Sequence, residues 1–140
     1  MSGMFTQCRS LISLDLTNFD TRNVTNMASM FFECNMLHSL DLTTFNTSNV
    51  SSMINMFTEC KSLISLDLSV FNTSNVEDMS NMFNSCVLLK EINLSSFDTR
   101  SVKKVDDMFF GCLNLTKKDI IINLQNNDKI LNEIEKNNII

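Results

Sequence analysis

Apolar and polar positions follow a two-part pattern that returns every 26 residues along this chain. In each repeat unit a few apolar residues alternate with polar ones, and further apolar residues then recur three or four positions apart; the complete copy from Leu66 reads LDLSVFNTSNVEDMSNMFNSCVLLKE. The step never changes in the cysteine column of Cys8, Cys34, Cys60, Cys86 and Cys112. A period of this length is typical of a solenoid, in which no unit buries its apolar face alone.

Each repeat unit is expected to form one short strand and one short helix. The alternation over Leu66, Asp67 and Leu68 predicts a strand with its leucines inward, and the same pattern occurs at 14–16 and 40–42. The apolar positions that follow predict one face of a helix of about two to three turns, capped at Asn75 or Ser74: they are Val76, Met79, Met82, Phe83 and Cys86. The expected fold class is α/β, a leucine-rich-repeat solenoid of 26-residue coils with short parallel strands on one face and short helices on the other.

The two ends of the chain depart from the full unit. Residues 1–10 match only the second half of a unit, which predicts a fragment of a longer protein or an N-terminal edge covered by a partner, with end-to-end self-association as one such contact. The solenoid is expected over residues 1–115, as a partial first coil and about four full coils. A C-terminal helical cap or tail is expected over residues 116–140.

Within this tail, the 26-residue register places Lys118 at an inward position, which ends the pattern. Residues 116–119, TKKD, resemble a capping box, so a helix is predicted over 120–126, with an edge strand as the alternative. A second helix is predicted over 128–136, with Ile130, Leu131 and Ile134 on one face and both glutamates, Glu133 and Glu135, turned away from it.

The bulk composition excludes several classes of protein. The 140 residues carry a formal net charge of −5 with no basic block, which argues against electrostatically driven binding of nucleic acid. No stretch approaches the ~18 consecutive apolar residues of a membrane span, and residues 1–10 lack the apolar core of a signal peptide. His38 is the single histidine and no glycine-rich phosphate loop occurs, so no enzyme, cofactor or metal site is expected.

The cysteine column is better explained by packing than by chemistry. Equivalent residues of stacked coils lie about 5 Å apart, but their Cα–Cβ bonds run parallel instead of toward each other. No CxxC pair or neighbouring histidine completes a zinc site. The five thiols are therefore predicted to be free and, on the apolar helix face, buried.

A second column, on the outward side of the strands, is the candidate binding surface. We call it the polar strand face and define it as Ser13, Asp15, Ser39, Asp41, Ser65, Asp67, Glu91 and Asn93. Carboxylates on adjacent strands repel each other, and a bound cation or a basic ligand would relieve that repulsion. The alternative is that these residues form only the solvated side of the sheet.

A threonine column is expected to be structural. It consists of Thr21, Thr47, Thr73 and Thr99. Its members stand in the turn between strand and helix, where hydroxyl groups bond the local backbone.

The runs LDLTNFDTRNVTNMASMFFEC and LDLSVFNTSNVEDMSNMFNSC resemble the 26-residue leucine-rich repeat of BspA-like surface proteins, found in bacteria and in some parasitic protists. The resemblance covers residues 1 to about 115 and is carried by F-[DN]-T-x-[NS]-V followed by M-F-x-x-C. It implies a non-enzymatic surface or secreted protein that binds host extracellular matrix or another cell-surface protein through its repeats.

Two functions remain open at the level of the sequence. The first is a protein-binding or adhesion module of a cell-surface protein, which acts through the polar strand face. The second is an intracellular, cytoplasmic leucine-rich-repeat scaffold for protein–protein interaction, which the unpaired cysteines and the missing signal peptide favour.

Overall fold

Successive repeat units lie against each other in a computed structural model that describes residues 1–140. Their phenylalanine rings stack in a column, with 5.5 Å between the ring centroids of Phe31 and Phe57 and 5.8 Å between those of Phe57 and Phe83. These rings belong to one core of 35 buried apolar residues that runs from Leu16 to Ile139. Side chains one period apart are therefore neighbours in space.

Regular secondary structure is confined to residues 65–136. Strands β1 (Ser65–Asp67), β2 (Glu91–Leu94) and β3 (Ile120–Ile122) form a parallel sheet in that order, and helix α1 spans Asp128–Lys136. A 3-10 turn over Lys117–Asp119 precedes β3. No helix is long and apolar enough to span a membrane.

The strands predicted near 14–16 and 40–42 do not form, because the first units lack the ladder between their extended segments. The one backbone contact there, from the Ile64 amide to the His38 carbonyl, is long at 3.4 Å, whereas the Lys90 amide donates to the Ile64 carbonyl at 2.8 Å. A strand exists only where a neighbour completes its hydrogen bonds. The third predicted strand is present, one residue earlier than expected.

The short helix predicted in each unit is wrong. Residues 76–86 form a series of tight turns instead, with left-handed backbone at Asn81 (φ +57°) and Ser85 (φ +59°). The Met82 amide donates to the Met79 carbonyl three residues back, while the Phe83 amide donates to Met108 of the next unit. Because every second amide leaves the segment in this way, no run of i to i−4 bonds develops.

Asn75, expected as a helix cap, connects two units instead, as does Asn49 one repeat earlier. The Asn75 side-chain amide donates to the Ser48 carbonyl at 2.8 Å, and the Asn49 amide donates to the Arg22 carbonyl at the same distance. Both bonds span 27 residues of sequence. An asparagine at this position therefore joins two units rather than ending a helix.

The repeat register changes by two residues before β3. Ile92 pairs with Ile120, 28 positions on, so Ile120 takes the inward place that a 26-residue step assigns to Lys118. The 3-10 turn absorbs the two extra residues, and Lys118 is exposed. The helix predicted over 120–126 is therefore wrong, and the alternative, an edge strand, is present as β3.

Helix α1 begins and ends where the sequence predicts. Ile130 and Ile134 are buried in the core and Glu135 is exposed, as expected for an amphipathic helix. Glu133, predicted to point away, is buried and is hydrogen-bonded by Asn137 and Lys136. The helix covers the apolar end of the last unit.

Candidate binding surface

The polar strand face lies on the outside of the molecule. Seven of its eight residues are exposed, and Asn93 is half-buried. Ser65 pairs with Glu91 and Asp67 with Asn93 across β1 and β2, so these side chains lie side by side on one face of the sheet. The four remaining residues, at 13, 15, 39 and 41, lie in the extended segments of the earlier units.

A local turn holds each aspartate of this face. Asp15 Oδ1 accepts the Thr17 amide at 3.0 Å and the Thr17 hydroxyl at 2.7 Å. Asp41 Oδ1 accepts the same pair of bonds from Thr43, at 3.0 and 2.6 Å. This Asx turn fixes the carboxylate where the chain leaves the strand position.

These hydrogen bonds favour the ionised form of each aspartate. The backbone amide and hydroxyl of Thr17 lower the pKa of Asp15, and the hydroxyl and amide of Thr43 lower that of Asp41. The Ser69 amide has the same effect on the pKa of Asp67, with Asn93 contributing. Hydrogen bonds to the ionised form therefore stabilise the charged carboxylate at each of these positions.

Each turn uses one carboxylate oxygen and leaves the other available. Oδ2 of Asp15 and Oδ2 of Asp41 have no hydrogen-bond partner in the structure. A carboxylate held in this way can accept bonds from a ligand without a change of rotamer. The geometry therefore suits donors such as lysine and arginine side chains.

The column ends in a shallow pocket of about 200 Å³ at the C-terminal side of the face. Its wall includes Asp67, Glu91, Asn93 and the half-exposed apolar side chain of Ile121. Ile121 pairs with Asn93 and so occupies the next place in the aspartate column. Sequence reasoning missed this residue, because only the two-residue change of register brings it here.

A larger open cleft of about 510 Å³ adjoins this pocket. It is lined by two lysines and two acidic residues, together with Ile121 and an amide: Lys90, Lys118, Glu91, Asp119 and Asn114. Asp119 accepts the Thr116 hydroxyl. The cleft combines both signs of charge and is where the regular units meet the C-terminal cap.

Apolar side chains flank the polar strand face on the side that precedes it. Ile12 is 58% exposed and Ile64 is 46% exposed, and each stands one residue before a serine of the face. His38 and Lys90 occupy the same place in the other units and are also exposed. A ligand on the aspartate column would therefore meet apolar surface beside it.

The cysteine column is buried except at its first member. Cys8 is exposed, the other four thiols are buried, and all five are free. Each buried thiol donates to the carbonyl of a phenylalanine in the preceding unit, as Cys60 Sγ does to Phe31 at 3.2 Å and Cys86 Sγ to Phe57 at 3.1 Å. Burial raises the pKa of Cys34 to about 11 and that of Cys112 to about 12, so these thiols stay protonated and unreactive.

No group of three or more histidine, cysteine, aspartate or glutamate residues is arranged to hold a metal ion.

Comparison with known proteins gives a family and no individual relative. One family model, described as "Mycoplasma protein of unknown function, DUF285", matches residues 1–130. No curated protein and no solved structure matches the chain. Because the match spans all of the repeat units and the start of α1, the chain belongs to this family of mycoplasma proteins of unknown function.

Proposed function

We propose that the chain is a non-enzymatic protein-binding module of a cell-surface protein, and that its polar strand face binds a basic region of the ligand. One observation carries the proposal: Asp15, Asp41 and Asp67 form an exposed column of carboxylates, each held in place by the hydrogen bonds of its own turn. Each carboxylate is held by its own turn, so little side-chain entropy is lost when a ligand binds.

The surroundings favour a protein ligand over a small molecule. The face is open and shallow, and apolar side chains at Ile12 and Ile64 adjoin the charged column. A combination of charged and apolar groups over a broad surface is typical of protein recognition, whereas small ligands occupy enclosed pockets.

The proposed adhesion function rests on the resemblance of the repeats to BspA-like surface proteins. Host extracellular matrix or another cell-surface protein is the partner class that this resemblance implies. The fold proposed with it is a leucine-rich-repeat solenoid, and the stacked units and parallel ladder support this.

A second candidate function, an intracellular scaffold for protein–protein interaction, is favoured by a different observation. All five cysteines are free, and Cys34 to Cys112 are buried as reduced thiols. Free thiols are the rule in reducing compartments. Protease shaving of intact cells separates the two functions. Loss of the protein supports the surface module, and full protection supports the intracellular scaffold.

The binding surface is tested by the double substitution Asp41→Asn with Asp67→Asn. Asparagine keeps the turn, as Asn93 shows by accepting the Ser95 amide at 3.1 Å, so the variant loses charge and retains its fold. Asp106→Asn with Glu135→Gln is the matched control, because it removes two exposed carboxylates outside the face that make no ion pair.

Surface plasmon resonance against immobilised matrix proteins and against cytosolic extract proteins gives the readout. We expect the face variant to bind about tenfold more weakly than the control, with the difference shrinking at high salt. Equal affinity of the two variants for every ligand would remove the polar strand face as the binding surface.

A further inference from the structure

An exposed apolar residue occurs just before the strand position in each of four successive units. The four residues form what we call the apolar stripe: Ile12, Met36, Ile64 and Leu88. Each side chain is between 45% and 58% exposed. Single exposed apolar residues are common on proteins, but a row with one member in every unit makes a continuous surface of the kind that binds a partner.

The stripe alternates between two positions of the repeat, on either side of a leucine that points inward. Ile12 and Ile64 stand one residue after that leucine, whereas Met36 and Leu88 stand one residue before it. In three of the units the leucine is fully buried, at Leu37, Leu63 and Leu89. The apolar side chains therefore zigzag along the stack and repeat every second unit.

Backbone hydrogen bonds place these segments side by side. The Lys90 amide donates to the Ile64 carbonyl at 2.8 Å, and the Ile64 amide donates to the His38 carbonyl at 3.4 Å. Neighbouring strands of a sheet lie about 4.8 Å apart, and the stacked rings of Phe31, Phe57 and Phe83 lie 5.5–5.8 Å apart. In each unit the stripe comes between the ring and the strand, so its step along the stack falls between these two values.

The border of the stripe that comes first in each unit is neutral. Arg9 pairs with Glu33 of the next unit, and Lys61 pairs with Glu59 at 2.9 Å. Both cations stand three residues before an isoleucine of the stripe. Because these charges are compensated, this border attracts a charged ligand only weakly.

The other border is negative. Asp15 and Asp67 stand three residues after the two isoleucines of the stripe, and Asp41 lies between them in the aspartate column. All three are exposed and none forms an ion pair. The surface is therefore apolar along its middle and acidic along one side, and it fits a ligand with an apolar face and one basic edge.

We propose that the apolar stripe binds an amphipathic α-helix of a partner protein, which lies along the stack with lysine or arginine on the edge next to the polar strand face. The inference deepens the proposed function and rests on it, since it names the kind of protein segment that the module binds. Helices that dock in this way contribute apolar anchors three and four residues apart.

The step between units fits a helix better than an extended strand. A helix rises 1.5 Å per residue, so apolar residues three and four positions apart follow each other about every 5.3 Å and fall alternately on either side of the contact line. Side chains on one face of a strand follow each other about every 6.7 Å. Over the three steps of the stripe a strand would lose register by most of one unit, whereas a helix keeps both the step and the zigzag.

A second copy of the chain cannot supply this helix. Helix α1 is the one α-helix of the structure, and its apolar residues Ile130 and Ile134 are buried in the core. Its exposed side carries Asp128 and Glu135, which the aspartate column would repel. The helix therefore has to come from another protein.

A designed peptide serves as the probe. It has about 18 residues, with leucine at the a and d positions of each heptad, lysine along one edge, and alanine and glutamine elsewhere. A hydrocarbon staple on the outer side holds the helix, and sedimentation verifies that the peptide is monomeric at the concentrations used. The control peptide has the same residues reordered so that leucine occurs at every second position, which is the pattern of a strand.

Two protein variants divide the stripe, Ile12→Ser with Ile64→Ser and Met36→Ser with Leu88→Ser. All four residues are exposed, so the core stays intact. The matched control is Val70→Ser with Leu124→Ser, which changes two exposed apolar residues that follow the strand position instead of preceding it.

Fluorescence anisotropy of the labelled peptides with the full-length protein gives the affinities. We expect saturable binding of the helical peptide, about tenfold weaker in each stripe variant than in the control variant, and weaker binding of the reordered peptide. Circular dichroism of the same peptide without its staple should show a gain of helix on binding. Equal affinity of the stripe variants and the control variant, equal affinity of the two peptides, or absence of binding at millimolar peptide would each overturn the proposal.

The variant Asp41→Asn with Asp67→Asn distinguishes this proposal from the polar strand face. Weaker binding of the helical peptide in that variant alone, with unchanged stripe variants, would retain the face and remove the stripe. Weaker binding in the stripe variants alone would retain the stripe and remove the face as a charged contact. Weaker binding in both, with the effect of the aspartates shrinking at high salt, is the expected result.

Discussion

The Thr73 hydroxyl makes two hydrogen bonds to Asp98 of the next unit: it accepts the Asp98 amide at 2.8 Å and donates to the Asp98 carbonyl at 3.1 Å. Thr21 and Thr47 do the same with Asn46 and Asn72. A threonine in a turn thus replaces a pair of strand-to-strand bonds, and it does so with a buried side chain. The threonine column was expected to serve local turns, and it joins neighbouring units as well.

Thr73→Val is therefore expected to destabilise the protein while conserving shape. Valine fills the same volume but leaves the Asp98 amide and carbonyl unpaired, which costs about 1–3 kcal/mol in the free energy of unfolding. Urea denaturation against Thr25→Val, an exposed threonine whose side chain makes no hydrogen bond, gives the measurement. Equal midpoints for the two variants would contradict the prediction.

The cysteine column predicts selective thiol reactivity. Cys8 alone is exposed, and the other four thiols are buried and hydrogen-bonded to phenylalanine carbonyls. With a chromogenic disulfide reagent, we expect one thiol per chain to react rapidly in the native protein and the remainder only on unfolding. Cys8→Ser should abolish the rapid phase. A thiol that still reacts rapidly in that variant would show that at least one of the other four cysteines is accessible to solvent.

The same burial predicts loss of stability at alkaline pH. An unperturbed thiol has a pKa of 9.0, whereas Cys34 and Cys112 titrate at about 11 and about 12 in the folded chain. Since the folded values are raised, the contribution of these thiols to stability is complete below pH 9 and is lost as the pH rises through the folded values.

The free energy of unfolding should therefore fall between about pH 9 and pH 12, and it should fall less steeply in Cys34→Ala with Cys112→Ala. Lysine titration affects both proteins equally, so the difference in slope isolates the thiols. Parallel pH profiles for wild type and variant would contradict the assignment.

Helix α1 is expected to hold the C-terminal end of the core in place. Ile134 is 2% exposed, and Ile134→Ala should lower the free energy of unfolding by about 2–4 kcal/mol. Leu124→Ala is the control, because Leu124 is 70% exposed and should change stability by less than about 0.5 kcal/mol. A small effect at both positions would mean that α1 detaches in solution.

The sequence predicts which residues are buried better than it predicts their secondary structure. Met82, Phe83 and Cys86 lie in the core as their spacing requires. The helix expected for them is absent because a spacing of three and four residues also fits a series of i to i−3 turns. The deciding factor is the hydrogen bonding to the next unit, which is not local in the sequence.

In the candidate surface, too, the local pattern predicts which side chains are exposed but not the contacts that they make. Alternation around Leu66 correctly places Asp67 outside, yet the role of Ser69 in lowering the pKa of Asp67 follows from the turn that joins them. Ile121 joins the column only through the altered register before β3, and no pattern of 26 residues contains it. Helix α1 was predicted with its observed bounds because its periodicity is local and needs no neighbour.

The constant step between units has a consequence for the gene. Because the central stacked pairs share the same ring stacking and the same turn-to-turn hydrogen bonds, in-frame duplication or loss of the coding sequence for one central unit creates no new kind of interface. Such a change would add or remove one aspartate from the polar strand face while leaving the cap and the first unit as they are. Alleles that differ in the number of units would therefore encode proteins that differ in the length and charge of this surface. Recombination between repeats would change that length while each product keeps the same stacking of units.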